Sequence, residues 1–439
     1  MIYIFSIVLE LFSFLIINSK RERELSLDPI NISFCVFLVS FISYLFVFKE
    51  WGYPFYFLTF FFFFCLFIVL EIIRFQLPLT KSKKKIYTTY SYSSKRLICF
   101  DFFLLLLTLS YFLEVVSVGS KNGVGLFSSF SFVKENYNLI SMEFNPLIRQ
   151  FYKIVLGSSY VFAFLLADYV FVNRKSFISV LLLFPCLLGT VINIISGSRT
   201  DILIIIGVFV FSFFFFYNKR PHRKIQKKKL LFPLLLLVIL FSFVFYFSMR
   251  LVKKDTTLGY SFGFFDYIFS YFGSPIQVFN IKVHNGISLY HSNYFGYNIF
   301  SSLYGLLGIV NSGIIGPEFI YLDKAKTFGG NVSTIASGFV FDFGLIGGFV
   351  LLIVFYLIFE LLFRKNLRKG KAFSFYNIFL NLLLTVFLFS SYSNIIYKFF
   401  TMTFWFTLLC SYLIYWFIEN RLIIKKEKVL FLYRKTENE

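Results

Sequence analysis

The sequence predicts an all-α polytopic membrane protein with about eleven transmembrane helices, and three observations predict it. Of 439 residues, 58% are hydrophobic and only 15% charged, against about 25% charged in a soluble domain. Apolar runs near 20 residues recur along the chain, each able to cross a ~30 Å hydrocarbon layer as a helix. The positive charges gather in the short loops between those runs, which is how membrane orientation is set. A soluble enzyme, a secreted disulfide scaffold and a nucleic-acid factor are excluded, although the formal charge is +21.

The spans follow in order. Residues 2–18 form the first rather than a signal peptide, because the run lacks a basic start and a small-residue cleavage site, and Lys20, Arg21 and Arg23 come after it. Spans follow at 30–48, 55–73, 97–118, 151–171, 177–195, 202–217 and 230–247. Three more lie at 339–363, 373–392 and 399–418. Loops after the odd-numbered spans, with the C-terminal tail, hold 30 Lys and Arg; the other loops hold 12. An N-terminus outside and a C-terminus in the cytoplasm follow. The organisation read from this is 1–247 for spans one to eight, 248–338 for a large extracytoplasmic loop with membrane-surface helices, 339–420 for the last three spans, and 421–439 for a basic cytoplasmic tail. Residues 294–315 are apolar enough to dip into the outer leaflet.

Little of this is reactive chemistry. The five cysteines lie singly in or beside apolar runs and read as small buried hydrophobes, and no metal spacing is present. No phosphate-binding loop for ATP occurs. Energy for a reaction therefore comes with the substrate or from a gradient. Charged residues in or beside spans are functional candidates, with pairing as the commoner role. Glu10 sits near mid-membrane. Asp101 and Asp168, near the ends of theirs, are expected to pair or snorkel beside Arg96 and Arg174. Glu114, Lys153 and Glu360 complete the group.

Two motifs stand out. Ser196-Gly197-Ser198-Arg199-Thr200-Asp201 forms a very short outward turn in which Ser198 and Asp201 have capping-box spacing. A helix starting there points its free N–H groups and positive dipole end at the outer leaflet, where a phosphate is stabilised. Arg199 adds a fork of donors. A capped turn with an arginine reaching headgroups fits equally well. The second motif is Phe328-Gly329-Gly330-Asn331-Val332-Ser333-Thr334, followed by Phe341-Asp342-Phe343-Gly344 and Gly347-Gly348. The first glycine pair lets backbone N–H groups turn toward an anion. Gly344, Gly347 and Gly348 read as close-packing residues. In the large loop, Arg250, His284 and His291 are candidates, histidine being suited to proton removal near neutral pH.

Ser-Gly-Ser-Arg-Thr-Asp opening a span, the large late outward loop, and Gly-Asn-x-x-Thr then Asp-Phe-Gly-x-x-Gly from Gly330 to Gly347 resemble the bacterial oligosaccharide repeat-unit polymerases, the Wzy-type O-antigen and capsular polysaccharide polymerases. The resemblance implies a membrane glycosyltransferase related in fold to O-antigen ligases, needing no nucleotide, metal or other cofactor. Enzymes of that kind join oligosaccharides carried on undecaprenyl diphosphate at the outer face of the cytoplasmic membrane, which is the activity the resemblance implies here. Implied partners are that lipid-linked oligosaccharide and the bilayer, with a chain-length regulator and a flippase as further candidates. On this expectation Arg199, Arg250, Ser198, Thr200, Asn331 and Thr334 hold diphosphate, and His284, His291 or Asp342 is the general base. The runner-up is a flippase for lipid-linked oligosaccharide, and an O-antigen ligase differs only in its acceptor.

Overall fold

The fold is that of a computed structural model describing residues 1–21, 28–77, 86–126, 128–135, 143–172, 177–219, 264–285, 295–309, 320–322, 329–330, 333–368, 374–392 and 395–430. The helices are α1 (Ile2–Arg21), α2 (Pro29–Trp51), α3 (Phe57–Gln76), α4 (Ser94–Lys121), α5 (Ser128–Glu135), α6 (Pro146–Val172), α7 (Phe177–Ile195) and α8 (Arg199–Lys219). They continue as α9 (Phe264–His284), α10 (Tyr297–Leu306), α11 (Ile335–Arg368), α12 (Phe375–Leu384) and α13 (Met402–Phe417). Strands β1 (Ile86–Tyr92) and β4 (Ile423–Leu430) pair antiparallel, as do the two-residue β2 (Ile320–Tyr321) and β3 (Gly329–Gly330).

Among the described residues, eight helices are long and apolar enough to cross a membrane, and two shorter apolar ones span Thr200–Phe216 and Phe375–Leu388. These ten fall on ten of the eleven expected spans; the span at 230–247 lies outside the described residues. Large apolar side chains such as Phe61, Leu113, Val180 and Trp416 are exposed along them. In water such surface would be an aggregation liability; in lipid it is the solvent-facing side. The protein is an all-α membrane protein.

The chain divides into two compact units whose segments interleave along it. The first contains Met1–Leu79, Thr256–Lys365 and Val386–Phe404; the second contains Thr80–Asp255, Asn366–Thr385 and Trp405–Glu439.

In the first unit, α9 packs against α2 and α3. The α2 backbone approaches so closely that a Cβ on Gly273 would sit 3.1 Å from Tyr44 Cα. The Tyr44 hydroxyl donates to Gln277 at 2.5 Å, and the Asn280 amide donates to the Pro54 carbonyl at 2.9 Å. The part of the large loop that holds α9 is therefore docked on the α2–α3 turn. At the other end of α2, Asp28 caps the helix through the Asn31 N–H at 2.8 Å and pairs with Arg74 Nε at 3.0 Å. Arg74 also donates to Asn18 at 2.6 Å, and Asn18 to Asn31 at 3.0 Å. Nearby, Arg364 pairs with Glu360 at 2.5 Å and donates to the Leu77 carbonyl. Buried charges of this kind persist because they are paired and hydrogen-bonded, which gives Glu360 a structural role.

In the second unit, α6 packs against α4, α7 and α8. Its close approaches use small residues, as membrane helices do. A Cβ on Gly189 would lie 2.5 Å from Ser159 Cβ, and one on Gly157 2.9 Å from the Thr407 carbonyl of α13. Strands β1 and β4 tie the start of α4 to the end of α13, with Ile86 opposite Leu430 and Tyr92 opposite Ile423. Asp101 does not meet Arg96, which donates instead to the Arg421 carbonyl. Both Asp101 oxygens are buried with no hydrogen-bond partner among the described residues.

Candidate functional site

In the second unit, α7 ends at Ser196-Gly197 and α8 begins at Arg199. Gly197 has φ of 69°, a left-handed position that glycine takes at no steric penalty. Its N–H bonds the Ile194 carbonyl at 3.0 Å, and the Ser198 N–H bonds the Asn193 carbonyl at 2.8 Å. That is the paired closure of a Schellman turn, so the chain reverses within three residues, as the sequence predicts.

A polar cluster lies beneath this turn. The Tyr152 hydroxyl of α6 sits 2.7 Å from Asn193 Oδ1 and 3.2 Å from Asp201 Oδ2. The Ser198 hydroxyl also donates to Asp201. Ser198 and Asp201 therefore meet side chain to side chain, and the Asp201 carboxylate lies in the first turn of α8, where the helix dipole favours negative charge. Thr200 is half-buried in the same turn. Arg199 occupies the first helical position, and its side chain lies outside the described atoms. Sequence alone does not single out Tyr152 and Asn193. Their signal there is polarity inside otherwise apolar spans.

In the first unit, α11 is two helices joined at Gly344, whose φ of 72° and ψ of 175° are non-helical. The chain folds back sharply enough that a Cβ on Gly348 would lie 2.6 Å from the backbone N and Cα of Val340. Thus Gly348 serves close packing, as expected, whereas a Cβ on Gly344 would meet open space. Gly344 is needed for its backbone angles.

The first arm, 335–343, begins at mid-height of this unit. The Ile335 N–H donates to the Ser390 carbonyl at 2.8 Å. The neighbouring Ser391 hydroxyl lies 2.6 Å from that of Ser40, halfway along α2. Thr334, just before this arm, is fully buried, and its hydroxyl has no hydrogen-bond partner among the described residues. Asp342, near the fold-back, accepts from the Ile299 N–H of α10 at 3.2 Å, placing its carboxylate at a helix N-terminus.

His284 ends α9, exposed, with its ring stacked on Tyr56 at 3.5 Å between centroids and 5° between planes. Ser198, Arg199 and Thr200 thus fall in the second unit, and His284, Thr334 and Asp342 in the first. Arg250, His291 and Asn331 lie outside the described residues. No group of three or more metal-ligating side chains occurs among the described residues. Comparison with protein-family models, with curated proteins and with solved structures finds no match.

Proposed function

We propose that this protein is a membrane glycosyltransferase that polymerises undecaprenyl-diphosphate-linked oligosaccharide repeat units into O-antigen, capsular or exopolysaccharide. The reading rests on the sequence resemblance. Its main structural support is the Schellman turn that fixes Arg199 at the first position of α8 beside the Tyr152–Asn193–Asp201 cluster. A cation at a helix start complements a diphosphate through both side-chain and backbone donors. Arg199 is assigned to the donor diphosphate, where it stabilises charge on the leaving group, with Ser198 and Thr200 beside it in the same turn; for Arg250, Asn331 and Thr334 a ligand role rests on the sequence resemblance alone. His284, His291 and Asp342 are the candidate bases for the acceptor hydroxyl. The exposed ring of His284 favours it over Asp342, whose carboxylate is engaged by α10.

Replacing Arg199 by Ala is expected to abolish long polysaccharide in cells while single repeat units still reach the surface. Normal chain lengths in that variant remove Arg199 from the mechanism. The proposed orientation places the N-terminus and Asn285 outside and the C-terminus inside. Reporter fusions at Lys84, Lys224 and Lys369 should then be cytoplasmic and one at Asn285 external. A cytoplasmic signal at Asn285 defeats the outward site.

One observation favours the flippase reading instead. In the first unit, non-helical backbone at Ser390 and Ser391 and the start of a half-helix at Thr334 meet at mid-height, and interrupted helices of this kind line substrate paths in transporters. Deleting a flippase traps repeat units inside the cell, whereas deleting a polymerase leaves surface material one unit long.

A further inference from the structure

In the second unit, the β1–β4 ribbon and the Ser93 N–H bond to the Leu422 carbonyl, at 3.1 Å, hold the first turns of α4 against the last turns of α13. Just inside that junction the two helices part, leaving a cleft of about 600 Å³. That is within the range of small-molecule sites, ~300–1,000 Å³. Its walls are apolar: Phe103 from α4, with Leu413 and Phe417 from α13. Phe100 also lines it, stacked on Phe417 at 5.9 Å and on Phe162 of α6 at 5.6 Å. At the ribbon end Lys95, Arg96 and Cys99, all exposed, border the cleft; the lining stays apolar there too, so the two basic residues line it mainly with their aliphatic stems and bring their charges to its mouth.

Both wall helices are long and apolar enough to span a membrane, and large side chains beside the cleft point outward. Phe102 is 60% and Trp416 56% exposed. The cleft therefore opens toward hydrocarbon, with cations at one end only. Arg96 donates one N–H to the Arg421 carbonyl across the mouth, which orients a guanidinium that carries further donors. Arg421 is exposed at the same place, and Glu419 is half-buried. A zwitterionic lipid brings its own cation to this end and gains little there, and a water-soluble anion gains nothing from the aromatic walls. One ligand class uses both.

We propose that this cleft binds an anionic phospholipid, one acyl chain lying between α4 and α13 and the phosphate headgroup held by Lys95 and Arg96. Basic pockets between membrane helices bind anionic headgroups in this way. The site is independent of the assignment of Arg199.

The test uses the full-length protein in neutral detergent micelles, with Cys35, Cys65, Cys186 and Cys410 replaced by Ala so that only Cys99 reacts. The rate of its alkylation by N-ethylmaleimide is measured with added phosphatidylcholine or phosphatidylglycerol. Phosphatidylglycerol is expected to slow alkylation relative to phosphatidylcholine by on the order of fivefold for each engaged cation. Lys95→Glu with Arg96→Glu is expected to remove the difference. Lys95→Glu alone, which leaves the Arg96–Arg421 bond intact, is expected to reduce it. Equal protection by the two lipids overturns the proposal. So does phosphatidylglycerol protection that survives charge reversal, which would report micelle charge rather than a site. Protection by inorganic phosphate without lipid also overturns it.

Discussion

Two glycines with nearly the same φ do different things in this protein. At Gly197, φ is 69° and the chain leaves α7, turns within three residues and starts α8. At Gly344, φ is 72° but ψ is 175°, and the chain folds back inside what reads as one apolar run. The first turn closes with two backbone bonds of its own, from Gly197 and Ser198. The second is held by contact between its arms, Gly348 against Val340, and by the Ile335–Ser390 bond at its far end. A turn that satisfies its own backbone needs few neighbours. One that does not depends on tertiary packing, so the two should fail differently.

The largest effect is expected at Gly348. An Ala there meets backbone rather than a flexible side chain, so the arms must separate, at about 3 kcal/mol, the upper range for overpacking. The midpoint of thermal or denaturant unfolding in detergent measures this. An unchanged midpoint would mean that the fold-back at Gly344 is not present in the folded protein.

Gly344→Ala should follow at about 2 kcal/mol, since its dihedral region is nearly exclusive to glycine. Gly197→Ala should lose about 1 kcal/mol, because the left-handed region is only mildly unfavourable for other residues. Gly347→Ala, with Phe343 Cβ at 3.3 Å as its nearest neighbour, should be close to neutral. If Gly197→Ala proves worse than Gly344→Ala, the self-contained turn is the more dependent of the two, and the comparison is reversed.

The difference between these turns also explains what could be read in advance. Ser196 to Asp201 interrupts apolar sequence with five polar residues around a glycine, so hydropathy falls and the turn is visible. Around Gly344 no charged or polar run separates the two arms, and a hydropathy window sums them into one span. The polar cluster under α8 was hidden for another reason. Tyr152 lies 41 residues from Asn193 and 49 from Asp201, and no local pattern links them. The pairing of β1 with β4 likewise joins segments far apart in the chain, Ile86–Tyr92 and Ile423–Leu430, that no local pattern links. Asp101 shows the converse, since proximity to Arg96 in sequence did not become an ion pair.

The sequence by itself determined that the chain is a helical membrane protein, where along it ten described apolar helices lie, and that a tight turn separates α7 from α8. Those properties follow from hydrophobic length, loop charge and local turn chemistry. Only the tertiary structure decided that α11 doubles back, that Asp342 sits at the N-terminus of α10, and that α4 and α13 part to leave a cleft with cations at one end. These depend on which distant segments meet, and a one-dimensional pattern of apolar residues is compatible with many such meetings.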